Sequence, residues 1–350
     1  RGRIEVADAE GDAARLLVLF NLSTAHVDLR YRQQLLALAE RNLTSSKRTL
    51  SQTRSLFDAS EATRLDVVRA EARVAQITSG IPALRAGIAA RINELTVLTG
   101  RAPGRLPPDL ARALARPKGQ PRAALSPQIG IPADLLRNRP DIRIAERSYY
   151  AAVNEIGVAR AALYPSLSLS GLITLNGLGS ASDRPEYYFG PAVAFPTLPL
   201  KSGRARVTQR TSLARQAHEG WKDTVLTAIL EVENALLEYD AATSALVSAA
   251  RAARLYRETE QLMLDVLTRG EATVRDLIEA QRDVAEADRA LADLMQQHAR
   301  SFVDINVRLG AGHAVGAGAL TARPRGVDDP VVMASRSASV APAPAQRTER

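Results

Sequence analysis

The sequence predicts a mainly α-helical protein with one β-hairpin, in which long helices pair as antiparallel coiled coils. Three observations predict this class: an internal repeat, heptad spacing in both copies of the repeat, and one region of alternating apolar and polar residues. The 350 residues are 46% hydrophobic but only 4% aromatic, with a single Trp. Such a composition suits long helices better than a large globular core.

The internal repeat relates two stretches that lie 210 residues apart. Ser-Glu-Ala-Thr-Arg-Leu-Asp at 60–66 corresponds to Gly-Glu-Ala-Thr-Val-Arg-Asp at 270–276. The same offset holds without a gap well outside this core, where Ala25 matches Ala235. Because each copy of a repeat forms the same supersecondary unit, we expect each to be a long helix, a short break and a second long helix.

In the first copy the pattern predicts a helix over about 7–56, roughly 75 Å long, a break near 59–60 and a helix over 63–99. The second helix of each copy has apolar residues three and four apart, which is the seam of a coiled coil. The seam residues are Val67, Ala70, Val74, Ile77, Ile81 and Leu84, and in the second copy Leu277, Ala280, Val284, Ala287, Leu291 and Leu294. Pro82, which Ala292 replaces in the second copy, should kink the first seam or remove a hydrogen bond.

The chain is predicted to divide into six segments. These are a helical hairpin at 1–100, a linker rich in Pro, Gly and Arg at 101–130, a segment at 131–165 whose helix begins after Pro140, a β-hairpin at 166–200, a second helical hairpin at 201–310 and a disordered tail at 311–350. The first helix of the second helical hairpin is predicted over 203–268, roughly 95 Å. Only the second copy carries a β-hairpin, so ~80 residues of a first unit are expected to be absent.

Residues 166–198 change to a period of two, which predicts two strands around a polar loop at 176–186. Bulky apolar residues alternate with small or polar ones. The bulky face comprises Leu167, Leu169 and Ile173 on the first strand and Phe189, Val193 and Phe195 on the second. Strands of this kind suit a membrane barrel, with the bulky face toward lipid. An ordinary half-buried hairpin is the alternative, and the two strands alone favour it.

Charge and cysteine content exclude several function classes. The net charge is +8, but the Arg residues lie three or four positions from Glu or Asp along helices, which predicts solvated faces rather than nucleic-acid binding. The absence of Cys excludes disulfides, thiolate catalysis and Cys-based zinc sites. The four His are isolated, and neither a G-x-S-x-G nor a P-loop motif occurs. We therefore predict no enzyme activity, no cofactor and no metal.

The sequence contains no transmembrane helix, because no stretch of ~18 residues is apolar and uncharged. It contains no signal peptide either. The chain opens at Arg1 rather than Met. We therefore expect that it is truncated at its N-terminus.

The most specific motif is Ile-Pro-Ala-Asp-Leu-Leu-Arg-Asn-Arg-Pro-Asp-Ile-Arg-Ile-Ala-Glu at 131–146. It is followed by Ile-Gly-Val-Ala-Arg-Ala-Ala-Leu-Tyr-Pro-Ser-Leu-Ser-Leu at 156–169, and Tyr-Phe-Gly-Pro at 188–191 begins the second strand. Together with the order of elements, these motifs resemble the outer-membrane efflux proteins of the TolC type. The resemblance is closest to the efflux lipoproteins of the OprM and NodT group.

The resemblance implies a homotrimer in which each protomer gives four strands to a 12-stranded barrel embedded in outer-membrane lipid. The long helices would form an α-barrel through the periplasm of a Gram-negative bacterium. It implies passive export of small molecules that arrive from an inner-membrane pump, of the resistance-nodulation-division type, through a periplasmic adaptor protein. The alternatives are a soluble coiled-coil scaffold and a non-functional fragment of an efflux protein. The residues do not identify the cargo.

The same resemblance places functional residues at the two breaks between long helices. It assigns the tunnel constriction to Asp276 and Glu279, with Asp66 at the linking position of the first break. Tip turns that dock the adaptor are assigned to Ser60, Glu61, Gly270 and Glu271, and ion pairs between tips to Arg64, Arg269 and Arg275. Three copies would bring six carboxylates near one axis, where like charges raise one another's pKa and attract cations.

Structural interpretations compete with these assignments. Thr63-x-x-Asp66 and Thr273-x-x-Asp276 both fit a helix capping box, which explains both acids without a gating role. Glu279 fits a solvated helix face equally well. Gly270 would ease a positive φ in the turn. The charged residues around Pro140 (Arg139, Asp141 and Arg143) are interpreted as the N-terminus of a helix.

Overall fold

Six helices and two strands make up the part of the chain that the computed structural model describes, residues 2–121, 138–174, 186–196 and 200–310. In chain order they are α1 (Gly2–Asp58), α2 (Arg64–Leu98), α3 (Pro108–Ala115), α4 (Pro140–Ala161), β1 (Ser166–Thr174), β2 (Glu186–Ala194), α5 (Lys201–Thr268) and α6 (Val274–Arg308). The predicted tail at 311–350 lies outside the described residues, as does most of the predicted strand loop.

The two helical hairpins are α1 with α2 and α5 with α6. Their seams follow the predicted heptads: Val67, Ala70 and Ile81 are buried on α2, and Leu277 and Val284 are among the buried residues of α6. Apolar burial of this kind, rather than helix propensity, supplies most of the stability of long helices. α2 runs without a break through Pro82.

A third interface joins the two helical hairpins, and it contains several polar contacts. Arg300 of α6 donates to Asp28 of α1 with its Nη2 atom 2.6 Å from Oδ1, and Tyr31 Oη donates to Asp293 at 2.5 Å. Nearer the breaks, Gln281 Nε2 lies 3.0 Å from the hydroxyl oxygen of Thr49. Directional hydrogen bonds therefore fix the position of α6 along α1 where the helical hairpins meet.

The segment at 101–130, predicted to be a linker, contains the short helix α3. The Pro, Gly and Arg content of the segment indicates a linker, but Pro108 is well accommodated at the first position of a helix, where its missing N–H is not needed. Leu114 of α3 is buried against Leu29 and Leu95, and Gln33 donates to the Leu114 carbonyl at 2.6 Å. The first helical hairpin is thus closed at this end by α3.

α4 begins where α6 ends and packs against α1 and α5. Arg139, just before α4, donates to the carbonyl oxygen of Arg308 at 3.0 Å. Gly310 has a φ of 72°, and a Cβ there would lie 3.0 Å from the carbonyl carbon of Asn138. Glycine is therefore required where the end of α6 meets the start of α4.

β1 and β2 form an antiparallel pair whose register places the bulky residues on one face. Leu167 faces Val193 and Gly171 faces Phe189. Phe189 and Leu167 are each 75% exposed, and none of the described side chains of the β-hairpin is buried. A half-buried hairpin would have one covered face, so this alternative is wrong for the protomer.

Phe195 and Ile173 both lie near an end of a strand. Phe195 was predicted as a strand residue, but β2 ends at Ala194, so Phe195 follows the strand. It is nevertheless 77% exposed. Ile173 pairs with Tyr187 in the register, but its side chain lies outside the described residues. Among the described helices, none combines the length and the apolar character needed to cross a membrane.

Candidate functional site

The candidate site comprises the two helical tips, the turns at 59–63 and 269–273 that join the helices of each hairpin. Both turns use the same backbone hydrogen bonds: Glu61 N–H donates to the Leu56 carbonyl at 2.8 Å, and Glu271 N–H donates to the Val266 carbonyl at 3.1 Å. This pattern closes a helix with one residue in the left-handed conformation. Ser60 takes that position at the first tip and Gly270 at the second.

The second helix of each hairpin begins with a capping box, as predicted. The Oδ2 atom of Asp276 accepts from the Thr273 N–H at 3.0 Å, and the Asp276 N–H donates back to the Thr273 hydroxyl at 3.3 Å. Thr63 and Asp66 form the same box with the same two distances. The repeat therefore encodes two equivalent tips, each held by a reciprocal cap.

These caps lower the pKa of both acids. The Thr273 hydroxyl and then its N–H donate to Asp276 and lower the pKa of the carboxyl below its ordinary value, and Arg275 adds a smaller effect. Thr63 lowers the pKa of Asp66 in the same way. In a trimer, the carboxylates of neighbouring protomers are expected to raise the pKa of Asp276. Within the protomer the shift has the opposite direction, so Asp276 is ionised at neutral pH.

Glu279 lies one turn beyond Asp276 on α6, and its side chain is exposed. A spacing of three residues places the two side chains on the same face of the helix. Glu61 and Glu271, in the turns themselves, are also exposed. The second tip thus presents several carboxylates to solvent.

Within the described part of the chain, the three tip arginines Arg64, Arg269 and Arg275 form no ion pair. Their predicted pairs would join neighbouring protomers. At the first tip, an ion pair joins the two helices instead: Arg54 Nη2 of α1 lies 2.8 Å from Glu71 Oε1 of α2. This pair was not predicted, because no local pattern in the sequence marks one ion pair between two helices.

The residues around the start of α4 make the structural contacts predicted for them. Arg139 is buried, and its Nη2 atom lies 2.7 Å from Asp141 and 2.8 Å from Glu231 of α5. Arg143 Nη1 lies 2.9 Å from Asp12 of α1. These ion pairs join α4 to α5 and α1. They serve the packing of the helices and lie away from the helical tips.

Comparison with known families identifies the class of protein. Residues 131–311 match the family described as outer membrane efflux protein. The match spans the β-hairpin and the whole second helical hairpin, and the chain belongs to this family. Its members are transport channels rather than enzymes. The predicted fold class and the outer-membrane localisation with a periplasmic helical tunnel are thereby confirmed.

Individual relatives agree with this classification. Nodulation protein T of Rhizobium leguminosarum bv. trifolii is 34% identical over 314 residues, which are 89% of this chain and 66% of the relative. Nodulation protein T of Rhizobium leguminosarum bv. viciae is 36% identical over 315 residues, 89% of this chain and 64% of the relative. The chain thus spans just under two thirds of the length of these relatives.

Among solved structures, the outer-membrane channel OprN superposes with a TM-score of 0.76 at 31% sequence identity. The superposition covers 88% of this chain and 69% of OprN. Both the helical hairpins and the β-hairpin therefore belong to a known channel architecture.

Proposed function

We propose that the whole protein is the outer-membrane exit duct of a tripartite efflux system and exports small molecules passively. The observation that carries this proposal is the β-hairpin, whose bulky apolar face is exposed and covered by nothing in the described protomer. A face of this kind is stable against lipid, and strands avoid exposed edges in a membrane only by closing into a barrel. A soluble coiled-coil scaffold has no use for such strands.

The proposed assembly is a homotrimer with a 12-stranded barrel, to which β1 and β2 would contribute half of each protomer's strands. The contact between α1 and α6 supports an α-barrel below the membrane. It packs the two helical hairpins of one protomer side by side, as neighbouring hairpins in the wall of such a barrel must be. Energy would come from an inner-membrane pump of the resistance-nodulation-division type. A periplasmic adaptor would connect this pump to the tip turns at Ser60, Glu61, Gly270 and Glu271.

We further propose that Asp276 and Glu279 form the tunnel constriction, with Asp66 linking the first tip to it. Three copies of α6 around one axis would form a ring of carboxylates, and rings of Asp and Glu attract cations and repel anions. The capping box is compatible with this role, because its hydrogen bonds favour the ionised carboxyl of Asp276 and fix its position. Arg64, Arg269 and Arg275 would tie neighbouring tips together in the closed state, at ~0–1 kcal/mol for each exposed pair.

The test uses the full-length protein in detergent and in planar bilayers. Light scattering should show a trimer, and single channels should conduct weakly. Glu279→Gln removes one charge of the ring without touching the cap, and Asp276→Asn removes the other while an amide oxygen still accepts from Thr273. Both variants should raise the conductance and lower the preference for cations.

Glu286→Gln is the matched control, since Glu286 lies two turns beyond Glu279 on α6 and is also exposed. It should leave the conductance unchanged. A trimer whose conductance is the same in all four proteins would retain the duct and remove the constriction from Asp276 and Glu279. A soluble monomer or dimer without conductance would refute the transport proposal and leave the scaffold.

A further inference from the structure

The second face of the β-hairpin consists of small residues except near its loop end. Because side chains alternate along a strand, the residues between those of the bulky face all lie on this second face. Those described are Ser166, Ser168, Ser170 and Leu172 on β1 and Tyr188, Gly190, Ala192 and Ala194 on β2. Leu172 and Tyr188 are direct partners in the register, and they form the one bulky apolar pair on the described part of this face.

Both members of this pair are exposed in the protomer, Leu172 at 64% and Tyr188 at 68%. The Tyr188 ring lies against Gly190, the next residue on the same face. A Cβ at Gly190 would lie 3.2 Å from the Tyr188 hydroxyl oxygen and 3.5 Å from its ring carbon Cζ, which is tighter than an ordinary contact. The glycine therefore gives the ring room to lie along the wall of the β-hairpin, where its other side stays open.

Closure of the barrel decides what this pair faces. With the bulky face of Leu167 and Phe189 toward lipid, as in the proposed function on which this inference rests, Leu172 and Tyr188 turn into the lumen. They lie near the ends of β1 and β2 that are joined by the strand loop, and the opposite ends lead to α4 and α5. Because the helices belong to the periplasmic side, the pair lies near the outer mouth, and three protomers place three such pairs at one level.

We propose that Leu172 and Tyr188 form a contact site in the lumen for cargo that carries an aromatic ring and a positive charge. An open ring face stacks with flat apolar groups and attracts a cation within about 6 Å, and Leu172 extends the apolar surface. The charge follows from complementarity along the duct. The proposed carboxylate ring of Asp276 and Glu279 admits cations, so the molecules that reach the outer mouth are those that the negative face of a Tyr ring attracts.

Single-channel currents of the full-length trimer test the site, with ethidium, a flat aromatic cation, added on the side of the outer mouth. Ethidium should block the wild-type current in events of measurable duration. Tyr188→Ser should shorten these events roughly two- to tenfold, which is the range that one aromatic contact contributes to binding. Tyr188→Phe keeps the ring and should keep the duration of the blocks.

Tyr187→Ser is the matched control, because Tyr187 is the neighbouring tyrosine, is 78% exposed and lies on the bulky face. It should block as the wild type does. Unchanged blocks in Tyr188→Ser, equal shortening in Tyr187→Ser, or a Tyr188→Phe variant as weak as Tyr188→Ser would overturn the site, while a conducting trimer would retain the exit duct. A wild type that neither forms a trimer nor conducts would refute the duct and this site with it.

Discussion

Ser60 and Gly270 adopt the same left-handed backbone conformation at the two helical tips, with φ values of 63° and 75°. The turns around them share their backbone hydrogen bonds and their capping boxes. The two tips are therefore equivalent in backbone structure but differ in one side chain. A residue with a Cβ is strained in this conformation, whereas glycine is not.

The first prediction concerns this strain. Gly270→Ala should lower the free energy of unfolding by about 1 kcal/mol, all of it from backbone conformation, because a Cβ at Gly270 meets no atom within 4 Å. Ser60→Gly should raise it by less, since glycine also loosens the unfolded chain. Urea unfolding measures both. An unchanged stability for Gly270→Ala would mean that the turn relaxes without cost.

The second prediction concerns the difference between Pro82 and Ala292, which occupy equivalent positions in the repeat. Pro82 is exposed within the unbroken helix α2, while Ala292 is fully buried in α6. Because proline removes one helical hydrogen bond and alanine restores it, Pro82→Ala should stabilise the protein by about 2 kcal/mol, after allowance for a looser unfolded chain. The reverse change, Ala292→Pro, should be strongly destabilising. A loss of stability in Pro82→Ala would show that the proline is needed for a contact.

Local patterns in the sequence predicted the helices and caps, because these structures depend on neighbouring residues. Thr273 and Asp276 are three positions apart, and their capping box could be predicted from that spacing alone. The bond between Tyr31 and Asp293 could not, since 262 residues separate them and no periodic signal marks one polar contact between two helices. α3 was not predicted for a different reason: the Pro, Gly and Arg content of residues 101–130 indicates a linker, although proline is favoured at the first position of a helix.

The candidate site was predicted unevenly for the same reason. The turn and the cap of each tip are local structures, and the structure contains them. The position of Glu279 relative to other copies depends on assembly, so its role in a constriction stays a proposal. At the start of α4, the pattern identified Arg139 but not its bond to the Arg308 carbonyl, which exists only because α6 ends there.

The third prediction concerns that arginine. Although burial alone would lower the pKa of Arg139, the hydrogen bonds and charges of Asp141 and Glu231 raise it. Arg139→Gln should therefore cost about 2 kcal/mol, because it leaves Asp141 without its cation and Glu231 with Arg308 as its remaining partner. Guanidinium unfolding would mask charge effects, so urea is the denaturant of choice.

Arg143→Gln is the matched control for this experiment. Arg143 lies one turn further along α4, and its side chain is 39% exposed, against 9% for Arg139. Its loss should cost ~0–1 kcal/mol. Equal costs for the two substitutions would show that burial of Arg139 adds nothing to the stability of the junction.

The fourth prediction concerns His26 and His298, which line one apolar cavity of about 500 Å³ between α1, α2, α3 and α6. Burial lowers the pKa of both from the ordinary value of 6.5, and the charges of Arg30 and Lys118 lower that of His26 further. The unfolded chain therefore binds protons more tightly than the native state. The resulting stability is complete above pH 6.5 and is lost as the pH falls through the lowered pKa values.

Urea midpoints measured from pH 8 to pH 5 test this linkage. The wild type should lose stability below pH 6.5, and the double variant His26→Gln/His298→Gln should lose less over the same range. His218→Gln keeps both cavity histidines and should retain the full loss. If the double variant lost as much stability as the wild type between pH 8 and pH 5, other groups would have to cause that loss. Water in the cavity would then allow a charged imidazole there. The comparison thus decides whether the apolar lining of the cavity, which includes Leu22 and Phe302, excludes water from His26 and His298.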